Sequence, residues 1–222
     1  MEILFEPTIK AAAPALVVMC VEADIDNGPT SDSLWREITG CAAEIAASTP
    51  MEAVRHRPAI DATRTVYKVL GKDPNRYRPS AEALCRRAVK GLELYRTLTA
   101  IDLINLLSML TGHSIGGFDA DKIEGGVLTL GVGRAGEPYE AIGRGQLNIE
   151  GLPVYRDTVG GVGTPTSDND RTKLLPDSSR LLMTVNMYGA SEVTVEETET
   201  LVRRLLADYA HSQNIRVKYC RP

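Results

Sequence analysis

Asn105 is the polar side chain of this sequence that most needs a partner. It falls in a helix predicted over Ala100–Thr111, where Leu103, Leu106, Leu107 and Leu110 form one stripe. Ile101, Ile104, Asn105 and Ser108 occupy the opposite side. A helix that is apolar nearly all round belongs between two layers, and a buried amide on it either tethers a neighbouring loop or meets a ligand. The glycine pairs Gly116-Gly117 and Gly160-Gly161 can present backbone N–H groups to a substrate, or simply allow tight turns. Asp119 and Asp121 lie around a glycine-rich turn. They could orient a substrate ammonium, or serve as turn and cap residues.

Two formal motifs fail on their context. Gly131–Gly136 reads GVGRAG, but a dinucleotide site needs a helix directly after it to hold the pyrophosphate. Here EPYEAIG follows, so the segment is expected to be a glycine hairpin turn. Gly112–Gly116 reads GHSIG, yet a nucleophile elbow places its serine between a strand and a helix. Around Ser114 the order is reversed, and Gly112 is better read as a helix C-cap. The cysteines (Cys20, Cys41, Cys85, Cys220) are far apart and the histidines (His56, His113, His211) equally scattered. No zinc spacing exists, so neither a metal nor a cofactor is expected. Cys85 lies among basic residues, which would lower its pKa if it were exposed; burial is the commoner outcome for a cysteine.

The charge distribution is uneven. Over its 222 residues the chain carries a net −4, but Arg55–Arg96 holds 11 Lys+Arg against 4 Asp+Glu, a net of +7, and the remainder is −11. A basic block in an acidic protein suggests an anionic partner, or only a solvated helix face. Aromatic residues are 5%, which disfavours RNA binding by base stacking. The apolar run Ala11–Val21 contains Pro14 and is too short to span a membrane. The start, MEILFEP, lacks the positive charge of a signal peptide. A cytoplasmic protein with reduced thiols and no membrane partner is expected.

These residues must be positioned by a mixed set of elements. Leu16–Ile25 suits a buried strand. Pro29-Thr30 opens a helix whose inner face carries Leu34, Trp35, Ile38, Cys41, Ala42 and Ile45, and Pro50 closes it. A second helix runs from about Pro58 to Leu70, with Ile60, Thr63, Tyr67 and Leu70 inward and Arg64 and Lys68 outward. Ser80 N-caps a helix over Ala81–Lys90. Fourteen of the 19 glycines then fall between Gly112 and Gly163, a strand-and-turn texture suited to a small barrel or sandwich. Leu181–Met187 reads as a strand. Thr194 and Glu197 form a capping box for a last helix, and Ile215–Tyr219 is a closing strand. One α+β unit over residues 1–222 is expected, with helices on a β core.

The ordered segment RYRPSAEALCRRAVKGLELYRTLTAIDLINLLSMLTGHSIGGFDADKI, from Arg76 to Ile123, carries a family resemblance. It is similar to the B3/B4 editing module of the bacterial phenylalanyl-tRNA synthetase beta subunit, and more so to free-standing proteins made of that module. The shared order is a helix with Ser80, Glu82, Leu84, Arg86 and Arg87; a helix with Asp102 and Asn105; the stop at Gly112; and the pair Phe118-Asp119 before a strand. The match continues through a hairpin whose second strand begins after Gly136-Glu137, and more faintly through Val154–Asp157 to about Met187.

The resemblance implies a β/β/α-type fold with a barrel-like sheet, in which residues 75–190 form the matching core, 1–74 an N-terminal strand and helix part, and 191–222 a closing helix and strand. It implies an amino-acid pocket between sheet and helices, a tRNA acceptor end or free amino acid as partner rather than DNA, and hydrolysis of a misacylated tRNA. Aminoacylation itself is not implied. Carried over residue by residue, the substrate group is Asn105, Gly116, Gly117, Phe118, Asp119 and Thr184, with no assigned catalytic residue. The family's threonine before the asparagine is Ile104 here, its histidine is Gly116, and its late glutamate falls near Thr184 and Asn186. Specificity is therefore expected to differ; the alternatives are a module that binds tRNA or an amino acid without hydrolysis, and, ranked below it, a small-molecule hydrolase that reuses the pocket. Arg76, Arg78, Arg86 and Lys90 are the expected RNA contacts.

Overall fold

Valine- and methionine-rich runs and amphipathic helices sort this chain into three layers. The computed structural model describes residues 1–190 and 192–222, without the side chains of residues 192 and 193. The elements in order are β1 (Glu2–Phe5), α1 (Pro7–Ala12), β2 (Leu16–Asp24), α2 (Asp32–Ser48), α3 (Pro58–Val69), α4 (Ser80–Val89) and α5 (Thr99–Thr111). Then come β3 (Ser114–Asp119), β4 (Val127–Val132), β5 (Glu140–Ala141), β6 (Gly145–Gln146), β7 (Pro153–Arg156) and β8 (Gly161–Gly163). The chain closes with β9 (Arg180–Tyr188), α6 (Glu192–Ala210) and β10 (Arg216–Cys220).

The central sheet has the order β10-β2-β9-β3 and is antiparallel throughout. Because strand side chains alternate between faces, β2 sends Val17, Met19 and Val21 to one side and Leu16, Val18 and Cys20 to the other. The first set meets Leu34, Ile38, Leu103, Leu107 and Leu205 from the helices. The second set meets Ile3, Leu128, Leu130, Tyr155 and Val162 of the outer sheet β1-β4-β7-β8. The α+β class and the β/β/α layering hold. The sheets among the described residues are open, not closed into a barrel: β1 and β8 end the outer sheet and β10 and β3 end the central one.

Several local expectations change. The cap of α2 is Ser31, whose Oγ accepts the Leu34 N–H at 3.3 Å, so the helix starts after Pro29-Thr30. Ser80 is the first residue of α4 and makes no capping bond. Helix α6 is described from Glu192, so Thr194 and Glu197 lie inside it rather than at its first residue. GVGRAG ends β4 and leads into a turn at Gly136, but the residues after it do not pair with β4. The antiparallel partner of β4 is β7, and Glu140–Ala141 pairs with Gly145–Gln146 instead. Arg64, expected to face outward, is buried because Glu82 of α4 lies opposite it at 2.7 Å.

Candidate functional site

A cavity of about 530 Å³ opens between α5 and the end of β3. Its α5 wall is Ile101, Ile104, Asn105 and Ser108, the stripe opposite the leucines. Leu103, Leu106 and Leu107 pack into the core, whereas Leu110, expected in the same stripe, is exposed at the helix end; the isoleucine stripe is left to line the cavity. Leu98, Ile115, Ile142, Leu174 and Leu175 extend the apolar lining. Asn105 makes no hydrogen bond among the described residues and presents its amide at the wall.

The opposite wall is the loop Thr164–Asp168, in the run TPTSDND. Several bonds fix this loop. The Thr164 hydroxyl accepts the Thr166 and Ser167 N–H groups at 3.3 and 3.1 Å. The Tyr139 hydroxyl donates to the Ser167 carbonyl at 2.7 Å, and the Tyr67 and Thr166 hydroxyls bond at 2.9 Å. The Ser80 N–H donates to the Pro165 carbonyl at 2.8 Å and ties the loop to the start of α4.

The loop ends on Asp168. Its Oδ2 accepts the Gly117 N–H at 3.0 Å, and its other oxygen accepts no hydrogen bond among the described residues. Burial pushes the carboxyl up to about 7, and the one amide bond only partly opposes this. The acid still keeps some surface, on the cavity wall.

Beside the cavity runs a groove of about 440 Å³ lined by Arg78, Arg86, Arg87, Lys90, Arg144 and the exposed Tyr95. Ser80, Tyr95, Asn105, Arg144 and Thr166 line both spaces, so cavity and groove share a wall. Part of the basic block is already engaged within the fold, Arg86 of the groove included. Arg64 and Arg86 both pair with the buried Glu82, at 2.7 and 2.8 Å. Lys72 donates to the carbonyls of Asn148 and Glu150, and burial lowers its pKa. Arg57 donates to Cys85 Sγ at 2.8 Å and to the Leu110 carbonyl. Burial still pushes the Cys85 thiol up. A separate cleft along Asp24, Arg180 and Arg216 is largely polar, and its arginines pair with Asp121 and Glu22.

Of the residues singled out in the sequence, Asn105 and Gly117 line the cavity, and Arg78, Arg86 and Lys90 line the groove. Arg76 does not; its guanidinium lies 5.6 Å from the Tyr77 ring centre. Gly116, Phe118 and Thr184 do not line the cavity either. Gly116 and Phe118 alternate with Gly117 on β3, and Thr184 pairs with Gly116. The pleat therefore turns all three toward the outer sheet. There the Phe118 ring is clasped by two glycines. A Cβ on Gly116 would sit 2.6 Å from Phe118 Cζ, and one on Gly163 2.5 Å from it.

Asp119 is engaged structurally. It accepts from the Ser178 hydroxyl and the Asp121 N–H, and Lys122 Nζ stands 3.3 Å away. Burial raises its pKa, but these donors together hold the carboxyl below its ordinary value. His113 is buried, and burial lowers its pKa to about 4; neither ring nitrogen makes a hydrogen bond among the described residues. Ser114 is fully buried, its Oγ facing the Ala81 N–H at 3.5 Å, and offers no nucleophile to solvent. Sequence reasoning missed Asp168, Arg144 and Tyr95. The available signal for Asp168 was the density of hydroxyl, amide and carboxyl side chains in TPTSDND.

A cavity whose isoleucine and leucine wall faces a set of hydroxyl, amide and charged groups, set between a helix and an edge strand and flanked by a cationic groove, defines an α+β domain with a candidate small-ligand pocket. The model of the B3/4 domain family matches residues 62–209, and the chain belongs to that family. A search of curated proteins found no match. Among solved structures, the chain is similar to an N-terminal fragment of the phenylalanyl-tRNA synthetase beta-subunit from Pyrococcus horikoshii. The TM-score is 0.49 at 13% identity, over 100% of this chain and 54% of that one. Among the described residues no helix is long and apolar enough to cross a membrane.

Proposed function

We propose that this protein takes the aminoacylated 3′ end of a tRNA, with the amino acid in the cavity and the adjoining phosphates along the groove, and hydrolyses a misacylated ester. One observation carries the reading: the apolar cavity and the cationic groove share the wall of Ser80, Asn105 and Arg144. Arginine and lysine in the groove suit phosphate oxygens, and the exposed Tyr95 offers a face to a terminal base.

In the hydrolytic step, water adds to the ester carbonyl carbon and the bond to the ribose oxygen breaks. The ribose oxygen leaves with a proton, giving free amino acid and uncharged tRNA. An aminoacyl ester is activated, so fixing the ester against a placed water supplies the main acceleration. The cellular setting is then the cytoplasm, where such tRNAs circulate. Incubation with a panel of mischarged tRNAs tests the proposal: deacylation above the spontaneous rate is expected, and its absence across the panel refutes hydrolysis.

A second reading, binding without hydrolysis, is favoured by the burial of His113 away from the cavity, which leaves no imidazole among the residues lining it. A salt-dependent tRNA gel shift with no deacylation is its signature.

A further inference from the structure

Asp168 differs from the other buried acids of the fold. Glu82 is met by Arg64 and Arg86, Asp157 by Arg171, and Asp119 by Lys122 and Ser178. Asp102, without a cation, accepts from the Thr30 and Thr97 hydroxyls and the Thr97 N–H. Among the described residues the Asp168 carboxyl has only the Gly117 N–H. The cations nearest its cavity are otherwise placed: Lys173 is held by Asp170 at 2.9 Å, and Arg144 belongs to the rim shared with the groove.

A half-buried carboxyl on a cavity wall, with no cation in salt-bridge contact among the described residues, is a site for a cationic group of a ligand. Hydroxyls of Ser80, Ser108 and Ser167 line the same space and can accept the remaining ammonium protons. Isoleucine and leucine side chains line the rest.

We infer that Asp168 is the subsite for a primary ammonium, and that the cavity takes an α-amino compound with an aliphatic side chain and its amine free. The inference rests on the reading of the cavity as the aminoacyl end of the site. An N-blocked aminoacyl group would leave the carboxylate unpaired and is refused. Asp119 and Asp121, the acids the sequence offers for this task, already have partners in Ser178 and Arg180.

The charged and titratable groups around Asp168 are Lys173 and Arg144 on the cavity wall and the Tyr139 hydroxyl behind the loop. The Tyr139 hydroxyl is pushed above its ordinary range by burial, with Asp168 adding to the effect. Burial raises the Asp168 carboxyl to about 7, so its charge changes near neutrality.

The test uses the full chain and two non-hydrolysable probes, L-leucinol and N-acetyl-L-leucinol, titrated by calorimetry near neutral pH. The expected result is at least a roughly tenfold preference for the free amine, rising with pH as Asp168 ionises. Asp168→Asn keeps an acceptor for the Gly117 N–H and is expected to bind both probes equally weakly. Equal affinities on the unaltered protein, no binding of L-leucinol, or a preference that survives Asp168→Asn would each overturn the inference. The comparison of probes on the unaltered protein does not depend on how the variant folds. A tRNA gel shift on the same preparations separates the two claims. Amine preference without RNA binding removes the tRNA reading alone. RNA binding without amine preference removes the amine subsite alone.

Discussion

Asp168→Asn is expected to make the protein more stable at neutral pH, although it alters the proposed site. A carboxyl whose native pKa lies above its unfolded value is held more firmly in its protonated form by the folded state. Between the ordinary aspartate value of 3.8 and about 7, the native protein keeps a proton that the unfolded chain has lost. Stability therefore falls as pH rises through that window and levels off above it. The span corresponds to an upper limit of ~4 kcal/mol. Residual exposure of Asp168 reduces this, so about 2–4 kcal/mol is expected in practice. Asparagine carries no charge and keeps an acceptor for the Gly117 N–H. The difference in unfolding free energy between variant and unaltered protein should be near zero at pH 4 and should favour the variant increasingly up to pH 8. Urea denaturation followed through Trp35, the single tryptophan, gives the measurement. A difference that does not change with pH, or a variant less stable at pH 8, would refute the assignment of Asp168 as a buried acid without a counter-charge.

Glu82→Ala removes the shared partner of Arg64 and Arg86 and leaves Arg64 buried with its charge uncompensated; a loss of about 3–5 kcal/mol in chemical denaturation is expected. Gly163→Ala drives a methyl against the Phe118 ring and within 2.9 Å of Asp168 Oδ1, and a melting temperature lowered by the equivalent of about 1–3 kcal/mol should follow. Replacing Lys90 or Arg144 by Ala should weaken tRNA binding and reduce the slope of log affinity against log salt by about one per charge, whereas Lys72→Ala should leave that slope unchanged because its ammonium is held by two carbonyls. Iodoacetamide at neutral pH should leave the native thiols unlabelled. All four cysteines are buried, and burial pushes the thiols of Cys20, Cys41 and Cys85 up, those of Cys20 and Cys41 to about 12 and about 11.

Periodicity made the layers legible and left the site half hidden. The faces of α2 and α5 could be read from spacing alone, because burial of an amphipathic stripe is a local property of the helix. The same spacing put Asn105 and Ile104 opposite the leucines, where the structure opens its cavity. Arg64 was misread because its partner, Glu82, lies on another helix, and a long-range ion pair leaves no periodic trace. The family resemblance grouped Gly116, Phe118 and Thr184 with Gly117, yet in a strand adjacent residues face opposite ways, and Thr184 pairs with Gly116. Asp168 escaped because nothing in its neighbours' identity reveals that its loop is folded over the end of β3. Only the bond from Gly117 does so. The net +7 block was countable, but its division into internal ties and groove cations depends on tertiary contacts.

The clasp on Phe118 links three positions that are remote in sequence. Gly116 and Gly163 each leave the volume that the ring fills, so the three sites share a fixed amount of space between the sheets. Among relatives these positions should vary together: a side chain at either glycine position should coincide with a smaller residue in place of the ring. A double variant joining Gly163→Ala with Phe118→Leu should recover part of the stability lost by the glycine change alone. Such a correlated trio would trace the contact between β3 and β8 through the family without any further structure.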